Sequence, residues 1–228
     1  MTRAHNGAST LSPEQIATLS SRDLLCAGVV TKRLETVPLA NVLLEPELTD
    51  PKHASTLGRS LVDKGQAAPT AYRAKLENGV VVYDIIDGFH RSQGGIDAGK
   101  DDIESMVHYG LSDEDLVDLR VHAIGSIKSV QFARVATWVQ ASFNTTDFSE
   151  LESPKGQGFS AVHAFELAAF NKLALKKRFN LDDEQHTDVI EWVNEKCKRW
   201  EKKPIEIARI LKTVQPADPE LIKKVREP

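Results

Sequence analysis

Val80-Val81-Val82-Tyr83-Asp84-Ile85-Ile86-Asp87-Gly88-Phe89-His90-Arg91 is the stretch that decides how this chain reads. Its first seven residues form a β-branched run of the kind that fills a buried strand. Asp87-Gly88 breaks that run, and a helix is expected to begin at His90 or Arg91. A strand that ends in glycine and turns into a helix directs backbone N–H groups, at the positive end of the helix dipole, toward whatever lies beyond the turn. Such a junction is a ready anion site. His90 adds a switchable donor and Arg91 a permanent one, and an arginine fork can hold phosphate oxygens in pairs. Gly88 would let a ligand come close to the backbone. The residues therefore point to a phosphate pocket. The competing reading pairs Arg91 with Asp87 and leaves His90 an ordinary surface histidine.

Upstream, Asn78-Gly79 is a strong hairpin signal and joins this strand to an extended piece, Pro69 to Arg73. Before that, Asp50-Pro51 opens a helix with Leu57, Leu61 and Val62 at helical spacing, and Gly65 stops it. Thr36 to Leu39 is strand-like, and Val42 to Pro46 leads into a turn. Downstream, Ile103 to His108 is again extended. The order strand, helix, strand, turn, strand, helix, strand makes a small α/β domain over 35–110. Residues 1–34 form an N-terminal segment with one short helix from Pro13 to about Leu25, started by Ser12 as N-cap and Gln15 as its capping-box partner.

From 111 to 228 the signal is helical, so the fold class expected is α+β: a small α/β domain followed by an all-helical one. Helices are predicted over Ser112–Val121, Lys128–Phe143, Ser160–Arg178, Asp182–Lys202, Pro204–Val214 and Pro219–Arg226. Asn144 to Gly158, rich in Asn, Thr, Ser, Pro and Gly, is the main internal loop.

Composition narrows the function classes. An apolar fraction of 41% and a charged fraction of 27% over 228 residues suit a globular protein with its own core. Two cysteines far apart, Cys26 and Cys197, provide neither a disulfide framework nor zinc-ligand spacing. No apolar run approaches the roughly 20 residues of a membrane span, and the polar N-terminus has no secretory signal, so a cytoplasmic protein without metal or membrane is expected. The net charge of −4 hides an asymmetry: Asn171 onward holds 14 basic and 11 acidic residues, the remainder 15 and 22. That bias favours an anionic partner for the C-terminal part.

The stretch Val37 to His108 resembles the ParB/sulfiredoxin superfamily. ParB proteins open with "V-P-L-x-x-I", matched by Val37-Pro38-Leu39-Ala40-Asn41-Val42. They continue with "S-I-x-x-x-G-x-x-x-P-x-x-x-R", matched from Ser60 through Gly65 and Pro69 to Arg73, and with "I-x-G-E-R-R", where this chain has Ile86-Asp87-Gly88-Phe89-His90-Arg91. The resemblance implies that Gly88, Phe89, His90 and Arg91, with Asp87 before them and Gln66 in the preceding loop, bind nucleotide phosphates. CTP is the leading ligand, ATP or ADP the alternative, with Mg²⁺ as companion ion. Sulfiredoxins carry their nucleophilic cysteine where this chain has Phe89, so that chemistry is excluded. Free-serine kinases of the superfamily carry an Asp-Gly-x-His-Arg turn like Asp87 to Arg91, but place their acidic base near Pro38, where Glu35 is the nearest acid. The Glu-Asn-x-x-Arg motif of CTP-hydrolysing ParB proteins is missing from Arg120 to Lys128, which leaves nucleotide hydrolysis open.

Lys198-Arg199-Trp200-Glu201-Lys202-Lys203 concentrates positive charge at a helix junction, and Glu206 to Leu211 has the "x-x-I-A-x-x-L" form common in helix-turn-helix units. Ala217 to Arg226 resembles the helix after the DNA-binding region of plasmid- and phage-type ParB-like proteins. If DNA is the partner, Lys198, Arg199, Lys202, Lys203, Arg209 and Lys212 would contact its phosphates; the bland reading of the same charges is a solvated helix face. The leading expectation is a ParB-like nucleotide- and DNA-binding protein of partition or transcription regulation. Without the usual C-terminal dimerisation segment, any homodimer would form through other surfaces. The alternatives are a small-molecule kinase using ATP or ADP, and a ParB-like nuclease, for which Asp84 and Asp87 are the nearest carboxylates.

Overall fold

A computed structural model describes residues 12–124 and 132–214. They fall into two compact units that divide between Leu116 and Val117. The first unit is mixed α/β; the second is helical apart from one isolated bridge, Glu152 to Gly158. The fold class is α+β.

In the first unit, α1 (Pro13–Thr18) and α2 (Ser21–Cys26) replace the single helix expected there. Leu19 is extended, and Ser20 starts a new helix by accepting a hydrogen bond from the Asp23 N–H at 3.2 Å. Five strands follow in one sheet: β1 (Thr31–Pro38), β2 (Val42–Leu43), β3 (Thr70–Glu77), β4 (Val80–Asp87) and β5 (Asp102–Tyr109), in the spatial order β1-β5-β3-β4-β2. β1 pairs antiparallel with the whole of β5, from Thr31↔Tyr109 to Pro38↔Asp102. It therefore begins five residues before Thr36. Periodicity hid this, because its inward positions include Arg33 and Glu35. These two pair with each other at 2.6 Å, and Glu35 also accepts from Ser21 (3.1 Å) and from the buried Tyr109 hydroxyl. β3 and β4 form the expected hairpin, with Asn78 and Gly79 both at positive φ (51° and 79°).

Two helices connect the strands. α3 (Pro51–Lys64) starts on Asp50 and stops at Gly65, as its sequence signals. α4 (Phe89–Asp97) begins at the end of β4. The buried face of α3 is Ala54, Gly58 and Leu61, whereas Val62 is exposed. Small residues govern that face because α3 crosses α4 in backbone contact: a Cβ on Gly94 would overlap the Ala54 carbonyl and lie 2.8 Å from the Gly58 nitrogen. Inward side chains of the sheet, among them Val37, Tyr72, Ile85, Ile103 and Val107, complete the core.

The second unit holds the greater part of α5 (Asp113–Ala123), then α6 (Phe132–Phe143), α7 (Ala161–Phe170), α8 (Leu173–Arg178), α9 (Asp183–Trp200) and α10 (Pro204–Val214). The helix expected from Ser160 to Arg178 is broken in two, because Asn171 takes a left-handed conformation (φ 46°) that ends α7. The expected helix Pro219–Arg226 lies outside the described residues. Trp200, Phe165, Phe143 and Val193 fill the core. At its centre the Asp118 carboxylate accepts from the buried Lys196 ammonium (3.0 and 3.1 Å), from Arg199 (3.1 Å) and from the Trp200 indole (2.7 Å). A buried carboxylate is tolerated only with donors of this kind around it.

Candidate nucleotide-phosphate site

The turn between β4 and α4 forms as its sequence demands. Gly88 is the N-cap of α4 at φ 101°, in the left-handed region open to glycine, and the Ser92 N–H closes the first helical turn on its carbonyl at 2.9 Å. The helix starts at Phe89, ahead of the His90 or Arg91 expected. Gly88 has a further reason to lack a side chain: a Cβ there would lie 2.6 Å from the Thr70 Cγ2. The glycine thus makes room for the Thr70 side chain of β3. The positive end of α4 follows directly on the end of β4, through Gly88.

A buried polar layer holds the turn in place. The Ser92 hydroxyl donates to the Gly88 carbonyl (3.0 Å) and lies 2.7 Å from the Tyr72 hydroxyl. Burial pushes the Tyr72 pKa up, against the hydrogen bonds of Ser92, Thr70 and Ser105, so it stays a neutral phenol. Thr70 is in turn bonded to Ser105 at 2.7 Å. None of these four was singled out from sequence. They stand on β3, α4 and β5, and only the strand pairing brings them under the turn.

Arg91 is held in a fixed pose. Its Nη1 donates to the carbonyls of Ala68 (2.7 Å) and Pro69 (3.0 Å), and its Nη2 to Asp87 (3.1 Å). The Arg91–Asp87 pairing of the competing reading is therefore present. It does not exhaust the guanidinium: of five N–H donors, three are engaged among the described residues, leaving Nε and one Nη2 hydrogen. The Arg91 side chain is 22% exposed.

The His90 Nε2 accepts the Asp50 N–H at 3.1 Å. Its ring also meets His53 edge to face, with centroids 4.7 Å apart. Asp50 caps α3 through the N–H groups of Lys52 (2.9 Å) and His53 (3.3 Å), and the backbone bonds from His53 and Lys52 hold its pKa below the usual carboxylate value. His90 thus ties the start of α4 to the start of α3. Phe89 is 6% exposed and packs in the core, so it brings only its backbone to the turn. The Gln66 amide is occupied by the backbone: Oε1 accepts from the Glu104 N–H (2.9 Å), and Nε2 donates to the carbonyls of Glu104 (2.6 Å) and Ala68 (3.0 Å). It braces the loop whose carbonyls hold Arg91.

Elsewhere the expected contacts scatter. Glu35 is enclosed by Arg33, Ser21 and Tyr109. Asp84 is tied to Arg73 (2.5 Å) and Lys75 (3.1 Å), and Asp87 to Arg91 (3.1 Å). Among the described residues, no group of three or more His, Cys, Asp or Glu side chains is placed to hold a metal ion. No helix of the described residues is long and apolar enough to cross a membrane. Of the six basic residues around α9 and α10, Arg199 is bound to Asp118 and Glu195, and Lys212 to Glu166. Lys198, Lys203 and Arg209 are exposed, and Lys202 is half-buried.

No family model matches the chain, and no curated protein does. Solved structures do. The chain resembles ParB N-terminal domains. It is similar to a Pnob8-like ParB-N domain, at 18% identity and TM-score 0.39 over 72% of each chain. It is also similar to the C-terminally truncated chromosome-partitioning protein ParB of Caulobacter crescentus in two complexes. The one with CTP-γ-S matches at 14% identity and TM-score 0.33, over 86% of this chain and 99% of that one. The one with the centromeric parS site matches at 15% and 0.36, over 81% and 73%.

Proposed function

We propose that this chain is a ParB-like protein that binds a nucleoside triphosphate at the turn 87–91 and DNA through its helical unit. The observation that carries the nucleotide reading is the left-handed Gly88 turn at the N-terminus of α4, with the Arg91 guanidinium held beside it and two of its N–H donors unengaged among the described residues. A helix N-terminus favours anions, and a guanidinium already held in place loses little conformational freedom when it takes a phosphate. Gly88 and Phe89 contribute backbone, Arg91 its fork, and Asp87 and Gln66 brace the loop. His90, bonded to the Asp50 N–H, fixes the start of α4 beside the turn. CTP is the preferred ligand, by the motif order from Val37 to Arg91, and Asp87, exposed at the mouth, is the residue that could meet an accompanying Mg²⁺.

The kinase alternative loses ground to Glu35, whose carboxylate is saturated by neighbours, and the nuclease to Asp84 and Asp87, whose carboxylates are already paired with Arg73, Lys75 and Arg91. The test is calorimetric titration with CTP, ATP, ADP and GTP plus Mg²⁺, with and without a mixed-sequence duplex. CTP binding that changes in the presence of duplex is the expected result, and Arg91→Ala should weaken it at least tenfold while leaving the circular dichroism spectrum intact. Preference for ATP or ADP with indifference to DNA would transfer the assignment to the kinase, and unaltered binding by Arg91→Ala would place the phosphates elsewhere.

A further inference from the structure

The corner between α7 and α8 presents a combination that the sequence reading passed over. Phe170 is 44% exposed and Leu173 54% exposed, and between them Lys172 sets its ammonium 5.5 Å from the centroid of the Phe170 ring. The segment Asn171 to Arg178 carries four basic residues and no acidic one. Lys177, one helical turn beyond Leu173 and on the same face, is exposed. Behind the corner a single carboxylate, Glu166, accepts from Lys172 at 2.9 Å and also from Lys212. Its side chain is only 9% exposed. Burial opposes its charge, but the two ammonium groups outweigh that and hold its pKa low. Glu166 therefore stays ionised and fixes two ammonium groups against one carboxylate, leaving a net positive charge beside two exposed apolar side chains. On α9, by contrast, Arg199 is shared between Asp118 and Glu195.

We infer that the α7–α8 corner is the part of the helical unit that meets duplex DNA. Lys172, Lys177 and Lys212 lie against phosphates, while Phe170 and Leu173 press into the groove between base steps. The occupant follows from charge and chemistry together. An apolar pair ringed by cations, with no acid on its own segment, suits a polyanion that also offers flat apolar faces, and apolar wedges flanked by basic residues are a known way for proteins to enter and bend a duplex. The inference rests on the DNA-binding half of the proposed function and gives it a surface other than the α9–α10 junction.

The experiment is duplex binding by fluorescence anisotropy across a salt series with the full chain, alongside Lys177→Gln and a Phe170→Ser/Leu173→Ser double variant. Sedimentation of each protein alone accompanies it. The expected result is that Lys177→Gln lowers the slope of log K against log salt by about one, while the double variant loses tenfold or more in affinity with the slope unchanged. If the parent chain binds duplex and both variants bind equally well, this surface is wrong and the DNA reading survives. If the parent chain binds no duplex, the DNA reading itself fails and this inference with it. If the parent sediments as a dimer and the double variant as a monomer, the corner joins copies of this chain and the inference is overturned.

Discussion

Gly88 shows how much a single residue fixes here. Its left-handed φ of 101° would cost an alanine about 1–2 kcal/mol in backbone strain, and the added Cβ would also press on the Thr70 methyl at 2.6 Å. Gly88→Ala should therefore lower unfolding stability by roughly 2–3 kcal/mol and weaken nucleotide binding in the same titration. Thr70→Ser removes the methyl but keeps the hydroxyl that meets Ser105. Added to Gly88→Ala it should recover the steric part of the loss and leave the strain, a split measurable by urea denaturation of the two singles and the double. Full recovery would mean that φ contributes nothing; no recovery would mean that β3 does not limit this position. The turn was legible in the sequence because Asp87 to Arg91 is contiguous and its chemistry is local. Thr70, Tyr72, Ser92 and Ser105 were not, since a serine inside a helix or a threonine opening a strand has no meaning until partners 20 to 35 residues away are known. The His90 contact was not legible for the same reason: its partner, the Asp50 N–H, lies 40 residues earlier.

Among the elements, the α3–α4 crossing does most to place the site, because it sets the starts of both helices side by side and lets His90 reach Asp50. Leucine spacing on α3 predicted a Leu57, Leu61, Val62 face, yet the contact runs through Ala54 and Gly58 against Gly94. Hydrophobic periodicity reports which face is buried but not how closely the next backbone comes, and at this crossing the closeness selects glycine. Gly94→Ala and Gly58→Ala should each destabilise the protein by about 1–3 kcal/mol, the usual range for overpacking. The pair should cost less than the sum, since a helix already pushed outward has room for the second methyl. Gly158→Ala, where a Cβ meets nothing within 4 Å, should be neutral. Thermal melts of the four variants check this, and additive losses would show that the two glycines do not share one contact. Helix starts were read well where a cap is written in neighbouring residues, as at Ser12 with Gln15 and Asp182 with Gln185. The breaks at Leu19 and Asn171 were missed because nothing in composition separates a helix that pauses from one that continues.

The whole molecule can be followed as two separate signals. All three tryptophans, Trp138, Trp192 and Trp200, belong to the helical unit, and all three tyrosines, Tyr72, Tyr83 and Tyr109, to the α/β unit. Each unit also buries part of a histidine. His163 sits in α7 between the rings of Phe159 and Phe179, at 5.7 and 4.8 Å, with its Nδ1 accepting the Ser160 N–H at 3.2 Å. Burial lowers its pKa, and the nearby Arg178 lowers it further. His108 on β5 is likewise lowered by burial and by Lys32. A histidine whose folded pKa lies below its unfolded value of about 6.5 takes up its proton first in the unfolded chain. Stability is then full above that value and declines as pH falls from about 6.5 through the lower folded pKa. Both units should accordingly lose stability as pH is lowered from 7.5 to 5, the helical one read by tryptophan emission and the α/β one by tyrosine near-ultraviolet dichroism. His163→Gln can still reach back to the Ser160 N–H, as glutamine does in a capping box, but has no proton to gain. In that variant the tryptophan-detected stability should become flatter over this range while the tyrosine-detected decline persists. A tryptophan signal that keeps its full pH dependence would remove His163 as its source, and a tyrosine signal that flattens along with it would mean that the two units unfold as one.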